Sequence, residues 1–417
     1  MSFTAIVIQK RENDLVMATF GRGFYILDDI SPLQKASAEA VQKTATMFPV
    51  KDAPLYIERR PLGGPGKGFQ GDAYFAAANP PFGATFTYYL KEKTKTLKEQ
   101  RQAAEKDAVK KEVGDAAKSD AKKDDTKADA AKKEDKGPYA SLPYPSNDAL
   151  RAEAEEQKPE VYFVIYDEAG AAIRRVAGEL GEGFHRAAWD LRYATQALPA
   201  PADSEGDDDF PSSTTTGPLV LPGRYSVRMF SKVNGKIAEL GGPQTFSVAV
   251  DGAAAMSAQD FTTQREFMKK TARLYRAVNG ALSSANDLQT RMKSIRSALH
   301  ETPSAETQLG PEADAIEKQN TEILRALRGD VALAARNENI APSINDRVTG
   351  IMDGERFSLA KPTQTHVTNY TIAAEEFSAQ LAKLKNLIQV DLAKLEHEME
   401  AAGAPWTPGR MVEWNDK

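Results

Sequence analysis

The chain has 417 residues, of which 27% are charged and 41% hydrophobic, and its formal net charge is −5. That length is enough for two or three domains, and so small a net charge gives no reason to expect nucleic acid or an anionic membrane as a partner. The absence of cysteine excludes a disulfide framework, a thiolate metal site and a cysteine nucleophile.

Targeting and membrane signals are not expected in this chain. The first ten residues lack a basic region followed by a long apolar run, so we expect no signal peptide. No apolar run approaches the ~20 residues that a helix needs to span a bilayer, so we expect no membrane span.

Residues 1–30 are predicted to form one small sheet. Short strands are expected at residues 6–8, 15–19 and 24–27, and the last two are separated by the Gly21-Arg22-Gly23 reversal. Three strands this short make about one sheet rather than a domain. We interpret them as the residual strands of the last blade of a β-propeller, with free strand edges that other blades would cover.

Residues 31–68 are rich in Ala, Pro and Gly and are interpreted as a connector. From residue 69 to 251, about seven strands separated by turn signals predict an immunoglobulin-like β-sandwich. Residues 91–136 consist mainly of Lys, Ala, Asp and Glu, which cannot offset the ~1–2 kcal/mol per residue that backbone ordering costs. We therefore expect the insertion 91–159 to be mostly disordered or loosely helical.

Residues 257–402 are predicted to be helical. Ser257 and Asp260 resemble a capping box, and apolar residues recur at steps of three and four from Leu274 to Leu299. A second long stripe runs from residue 377 to 399, with shorter helical segments before it. Each stripe needs a partner, so we expect an antiparallel helical hairpin or small bundle, followed by an extended tail at 403–417.

Four ordered motifs carry a resemblance to a known family. They are residues 21–29 (GRGFYILDD), 79–84 (NPPFGA), 186–192 (RAAWDLR) and 221–225 (LPGRY), and residues 403–410 (GAPWTPGR) are similar to the family's C-terminal end. The chain resembles the carboxy-terminal region of bacterial sortilin-like (VPS10-type) propeller proteins, often labelled BNR-repeat or glycosyl hydrolase proteins.

The resemblance implies a secreted or periplasmic parent protein with a multi-bladed propeller, a FlgD-like or immunoglobulin-like sandwich and a helical tail. The Asp-box turns of the family's propeller, Ser-x-Asp-x-Gly-x-Thr-Trp, are absent from this sequence. Any catalytic or ligand site on the propeller would therefore lie outside this chain, and no site residue is carried over. A fold-level label is in any case weak support for an activity.

Asp28 and Asp29 are candidates for a glycosidase carboxylate pair. Adjacent strand residues point to opposite faces, so the two cannot easily flank one glycosidic bond, and a turn or cap role is favoured. Arg22 is a candidate ligand contact at a propeller rim, but its flanking glycines are explained equally well by a tight reversal.

Two clusters of polar residues could form a functional site, but a structural role explains each of them more simply. Glu205 and residues 207–209 (DDD) have the oxygen ligands that calcium favours, but they lack the spacing of a calcium loop, which favours a solvated loop. His185 lies near Trp189 and Asp190. On a strand, His185 and Trp189 share one face and Asp190 lies on the other. We therefore predict Trp189 in the core and Asp190 paired with an arginine.

The remaining candidates match no catalytic or metal pattern. His300 and His366 lie at predicted helix ends, and His397 lacks a second histidine four residues away, as zinc proteases require. Residues 63–68 (GGPGKG) resemble a phosphate loop but do not lie between a strand and a helix, and Pro65 removes a backbone donor. We predict no catalytic, cofactor or metal residue in this chain.

Three hypotheses of function follow. The first is a non-catalytic accessory or interaction region that supports or extends a propeller, with the propeller itself, and a protein or glycan ligand, as candidate partners. The second is the C-terminal part of a glycosidase or sialidase whose catalytic residues lie on absent blades. The third is a self-assembling helical scaffold.

Overall fold

The structure is a computed structural model that describes residues 2–58, 77–120, 144–197, 217–251, 256–356, 358–411 and 414. It is mixed, with β-sheets in the N-terminal part and helices in the C-terminal part. The chain divides into two compact units. The first holds most residues up to 190 together with 223–249, and the second holds the helices from residue 258 onward together with the segments at 55–58, 191–197 and 217–222.

The first sheet of the N-terminal unit has three antiparallel strands, β1 Phe3–Gln9, β2 Asp14–Thr19 and β3 Phe24–Leu27. Asn13 adopts a left-handed φ of 59° in the first turn, and Gly21 and Gly23 adopt φ values of 74° and 72° in the second. These conformations favour asparagine and glycine. In the described part of the chain β1 and β3 pair only with β2, so the outer edges of both are free, as the sequence predicts.

Two further sheets are built from strands distributed along the chain. In chain order, the elements up to residue 90 are the short helices α1 Ser31–Gln34 and α2 Ala38–Gln42, then β4 Ala45–Met47, β5 Ala53–Leu55 and β6 Ala84–Leu90. After the inserted helices come β7 Glu160–Tyr166, β8 Ala172–Gly178, β9 Gly183–Trp189, β10 Gly223–Val233, β11 Lys236–Glu239 and β12 Gln244–Val250. One sheet has the order β4-β6-β9, and the other has the order β5-β12-β10-β7-β8 with β11 paired to β10.

Aromatic side chains from both sheets share one core. Phe86 of β6 lies 5.4 Å from Phe163 of β7 and 6.0 Å from Phe246 of β12, measured between ring centroids. Trp189 of β9 is fully buried and packs edge-on against Tyr225 of β10 at 5.4 Å. Edge-to-face packing of this kind adds about 0.5–1.5 kcal/mol per pair beyond the burial of area.

The predicted connector at 31–68 contributes more than a link. Its strand β4 pairs with β6, and its strand β5 joins the edge of the other sheet beside β12. The sheet assembly therefore begins earlier than the expected residue 69. The sequence did not indicate these strands, because a run of three residues is too short to show strand alternation against a background of Ala and Pro.

The insertion 91–159 contains two helices, α3 Leu97–Asp120 and α4 Asn147–Glu155. The Arg101 guanidinium of α3 donates to both carboxylate oxygens of Glu153 of α4, at 2.5 and 3.0 Å. A bidentate pair of this kind links the two helices in place of an apolar seam.

The C-terminal unit is helical. Its helices are α5 Ala258–His300, α6 Pro303–Arg328, α7 Val331–Ala334, α8 Ile344–Arg356, α9 Gln364–Asn386 and α10 Ala393–Ala401, with a π-helical segment Leu387–Leu392 that joins α9 to α10. The predicted capping box is present, since the Ser257 hydroxyl accepts from the Asp260 amide and the Asp260 carboxylate accepts from Ser257. Among the described residues, no helix combines the length and apolar composition that a membrane crossing needs.

The long helices bury their apolar stripes in one common core, to which α5, α6, α8, α9 and α10 all contribute. The predicted stripe of α5 is buried from Leu274 to Leu299, with Leu282 partly exposed. The tail departs from expectation: residues 402–411 fold back on the helices, and Gly409, at φ 90°, approaches the Arg291 side chain closely.

Candidate interaction surface

The first face of the β1–β3 sheet consists of large apolar side chains. The register aligns Ile6 with Met17 and Tyr25, and Ile8 with Leu15 and Leu27. Side chains that are aligned across antiparallel strands lie on the same face. Ile6 is 59% exposed, and the two β3 side chains on this face are also exposed.

The opposite face is apolar too. Val7 aligns with Val16 and Ile26, and Ala5 aligns with Ala18 and Phe24. Val7, Ile26 and Phe24 are 61%, 60% and 75% exposed. An antiparallel sheet that covers a core on one side normally alternates apolar and polar residues, whereas this sheet has the composition of one that is buried on both faces.

Polar contacts hold the sheet against the rest of its unit. The Arg186 guanidinium of β9 donates to the carbonyl oxygens of Asp28 and Asp29, at 2.6 and 2.9 Å. Glu12, in the β1–β2 turn, forms an ion pair with Lys51, whose hydrogen bond and charge hold the pKa of Glu12 below its ordinary value. The apolar faces therefore take little part in this attachment.

The predicted turn role of the aspartates is confirmed for Asp29. Asp29 adopts a left-handed φ of 40°, its amide donates to the Asp14 carboxylate at 2.9 Å, and its own carboxylate accepts from the Ser31 amide at 3.1 Å. Arg22 is exposed between its two left-handed glycines, and the Gly23 carbonyl oxygen accepts from the Thr19 amide and hydroxyl. A tight reversal explains this motif.

His185 lies in a small polar cluster at the edge of the aromatic core. Its Nδ1 is 3.0 Å from a carboxylate oxygen of Glu179, and its Nε2 is 2.8 Å from the Gly181 carbonyl oxygen. Both neighbours are hydrogen-bond acceptors, and together they fix the orientation of the imidazole ring. As expected, Trp189 is in the core and Asp190 has an arginine partner, Arg174, at 3.8 Å.

The other predicted candidates do not form a site. His300 and His397 are exposed on the helices, and His366 lies beside Gly354 at the start of α9. Glu205, residues 207–209 and residues 63–68 lie outside the described residues. Within the described ranges, no group of three His, Asp or Glu side chains is arranged to hold a metal ion.

Two features of the helical unit have no signal in the sequence. Glu355 of α8 is only 3% exposed, neither carboxylate oxygen has a hydrogen-bond partner among the described residues, and burial raises its pKa to about 8. A cavity of about 450 Å³ lies between the C-terminal end of α6, the start of α8 and the middle of α9. Among the polar groups that line it, Arg325 pairs with Asp330 at 3.0 Å and Ser343 exchanges hydrogen bonds with Asp346.

Comparison of the chain with protein-family models, with curated proteins and with solved structures finds no match. Any assignment of function therefore rests on the chemistry of the surfaces described above.

Proposed function

We propose that this chain is a non-catalytic interaction region that supports or extends a β-propeller in a secreted or periplasmic bacterial protein. The observation that carries the proposal is the β1–β3 sheet, in which both faces are apolar and both are exposed. A sheet of this composition requires a layer on each side.

Propeller blades meet this requirement. Each blade is a small antiparallel sheet that packs between two neighbouring blades arranged around a central channel. The β1–β3 meander has the size and strand order of most of such a blade, and its free edges would accept a further strand. A single partner protein docking on one face would leave the other face exposed to water.

The rest of the chain fits the same assignment. The two sheets that share an aromatic core support an immunoglobulin-like or FlgD-like sandwich, and the common apolar core of the long helices supports a small helical bundle. In this proposal the sandwich holds the last blade through Arg186 and through Lys51. Any glycan or protein ligand would bind mainly to the propeller.

The test begins with the nucleotide sequence upstream of Met1. Asp-box repeats in frame would support the propeller, and convergent carboxylates on those repeats would favour the enzyme hypothesis over the accessory one. The protein should then be produced with and without the upstream polypeptide, and amide hydrogen exchange compared.

We expect the upstream polypeptide to protect the amides of β1 and β3 strongly, while the α5 amides exchange at the same rate in both forms and serve as an internal control. Unchanged exchange in β1 and β3, or the absence of any upstream β-rich coding sequence, would contradict the proposal.

A further inference from the structure

The N-terminal half of α5 presents a row of positive charge to solvent. Arg265, Lys269, Arg273 and Arg276 are all exposed. Their spacing of four, four and three residues keeps them on one side of the helix. We name these four residues the basic stripe.

The basic stripe lacks ionic partners. None of its four side chains forms an ion pair or a side-chain hydrogen bond with a residue in the described part of the chain. The C-terminal half of the same helix differs, because Arg291 pairs with Glu396 and Arg296 pairs with Glu317 and Asp314. The stripe is opposite in sign to the chain's net charge of −5, and Glu266, exposed beside Arg265, forms no ion pair with it in the described part of the chain.

The chemistry of the basic stripe selects among anionic partners. A helix that binds a lipid surface needs several apolar side chains beside its cations. This side of the helix continues with Gly280 and Ser283 toward the C-terminus, and half-buried Phe261, four residues before Arg265, is a single apolar neighbour. Single-stranded nucleic acid is bound by aromatic side chains interleaved with cations, whereas no exposed aromatic residue lies between the four cations of the stripe. Carboxylates match the planar donors of the three arginines, and they need neither apolar nor aromatic neighbours on the helix.

The spacing also fits a polypeptide. The first three cations of the stripe are separated by about 6 Å along the helix axis, at 1.5 Å per residue, and the last step is about 4.5 Å. Carboxylates four residues apart on a second helix have the same separation, and alternate residues of an extended strand lie about 6.8 Å apart. We propose that the basic stripe of α5 is the docking surface for an acidic polypeptide segment of a partner protein.

The experiment measures binding of a fluorescein-labelled oligoglutamate peptide to the whole chain by fluorescence anisotropy. We expect binding at about 50 mM NaCl that is lost at about 500 mM, because exposed ion pairs are screened by salt. Replacing Arg265, Lys269, Arg273 and Arg276 by Gln should weaken binding at least about tenfold. These side chains are exposed, so circular dichroism and the thermal unfolding midpoint should stay unchanged.

The matched control removes the same charge from exposed lysines elsewhere on the helices, by Lys293→Gln, Lys318→Gln, Lys383→Gln and Lys385→Gln. Its affinity for the peptide should remain within about twofold of the original chain. An equal loss in both variants would show that only net charge matters and would overturn the proposal. Tighter binding of phosphatidylserine vesicles or duplex DNA than of the peptide, lost with the stripe, would overturn it in favour of those partners.

Discussion

Glu355 shows how one buried residue makes the stability of a helical unit depend on pH. It continues the buried side of α8 that begins with Ile344, Val348 and Ile351, so its carboxyl group lies where a core side chain is expected. Burial without a partner penalises the ionised form and raises its pKa to about 8. The carboxyl is therefore protonated at neutral pH in the folded chain and ionised in the unfolded one.

The pH dependence follows from this difference. Below the ordinary pKa of 4.5 both states are protonated, and between 4.5 and about 8 only the unfolded state ionises, so folding loses stability as pH rises. The loss levels off above pH 8, at about 5 kcal/mol. We expect Glu355→Gln to raise the free energy of unfolding of the helical unit by several kcal/mol at pH 8 and to change it little at pH 4.5.

Urea unfolding at the two pH values measures this effect, and Glu375→Gln, on the exposed side of α9, is the matched control. A gain for Glu355→Gln that is the same at both pH values would contradict the titration argument.

Gly83 is a second position where one atom should determine stability, here the Cβ that alanine would add. Its φ is 107°, and a Cβ built on it would collide with the carbonyl oxygen of Trp189, a rigid backbone atom at the end of β9. Gly170, in the β7–β8 turn, has a comparable φ of 77° but open space around it. We expect Gly170→Ala to cost about 1–2 kcal/mol through backbone strain alone and Gly83→Ala to cost more than about 3 kcal/mol. Equal costs in urea unfolding would argue against the collision.

Among the strands and helices, a strong sequence pattern was sufficient to predict an element, and a weak pattern was not. The β-branched and aromatic runs at β6, β7, β10 and β12 predict their strands, and the capping box at Ser257 predicts the start of α5. The short strands β4 and β5 lack such a pattern, since their pairing depends on partners far away in the sequence.

The π-helical segment between α9 and α10 was also invisible in the sequence. Leu384, Leu387, Leu392 and Leu395 are buried, so the step from 387 to 392 is five residues where a regular helix allows three or four. The wider π turn absorbs the extra residue and keeps the stripe directed at the core. The sequence pattern instead indicated Ile388, which is only partly buried.

Deleting exposed Val390 should convert the five-residue step into a helical step of four and leave the stripe intact. We expect the thermal unfolding midpoint to stay within a few degrees of the original, or to rise. Deletion of exposed Ala382, in the α-helical part, should rotate the remaining stripe by about 100° and unfold the unit. Similar losses from both deletions, seen by circular dichroism, would contradict this account.

For the whole molecule, the candidate surface could be located from the sequence but not characterised. The motif from Gly21 to Asp29 indicated a small sheet with free edges. The register was needed to show that Ile6 and Val7, adjacent in sequence, belong to two faces that are both apolar. Adjacent apolar residues in a short strand are also expected when one face is buried and the other carries an apolar residue by chance. The sequence alone therefore could not show that both faces are apolar.

The isolated chain should therefore bind a hydrophobic dye and self-associate with rising concentration. We expect Ile6→Ser combined with Val7→Ser, one substitution on each face, to reduce both effects without lowering the thermal unfolding midpoint, because both side chains are about 60% exposed. Dye fluorescence and light scattering measure the outcome. Ile237→Ser, 61% exposed on β11, is the control and should change neither; loss of folded structure in the double variant would show that the sheet is already covered.

The hydroxyl of Tyr88 makes the two backbone hydrogen bonds that a neighbouring strand would otherwise make to Glu179. Tyr88 belongs to β6, yet its oxygen donates to the Glu179 carbonyl at 3.0 Å and accepts from the Glu179 amide at 2.5 Å, just beyond the last residue of β8. One oxygen atom thus satisfies both backbone polar groups of Glu179, and burial raises the pKa of Tyr88 to about 12, which keeps the donating proton in place in alkaline solution. The two sheets are therefore joined at this atom by hydrogen bonds as well as by their aromatic core, and phenylalanine at this position would leave the Glu179 amide and carbonyl without this partner.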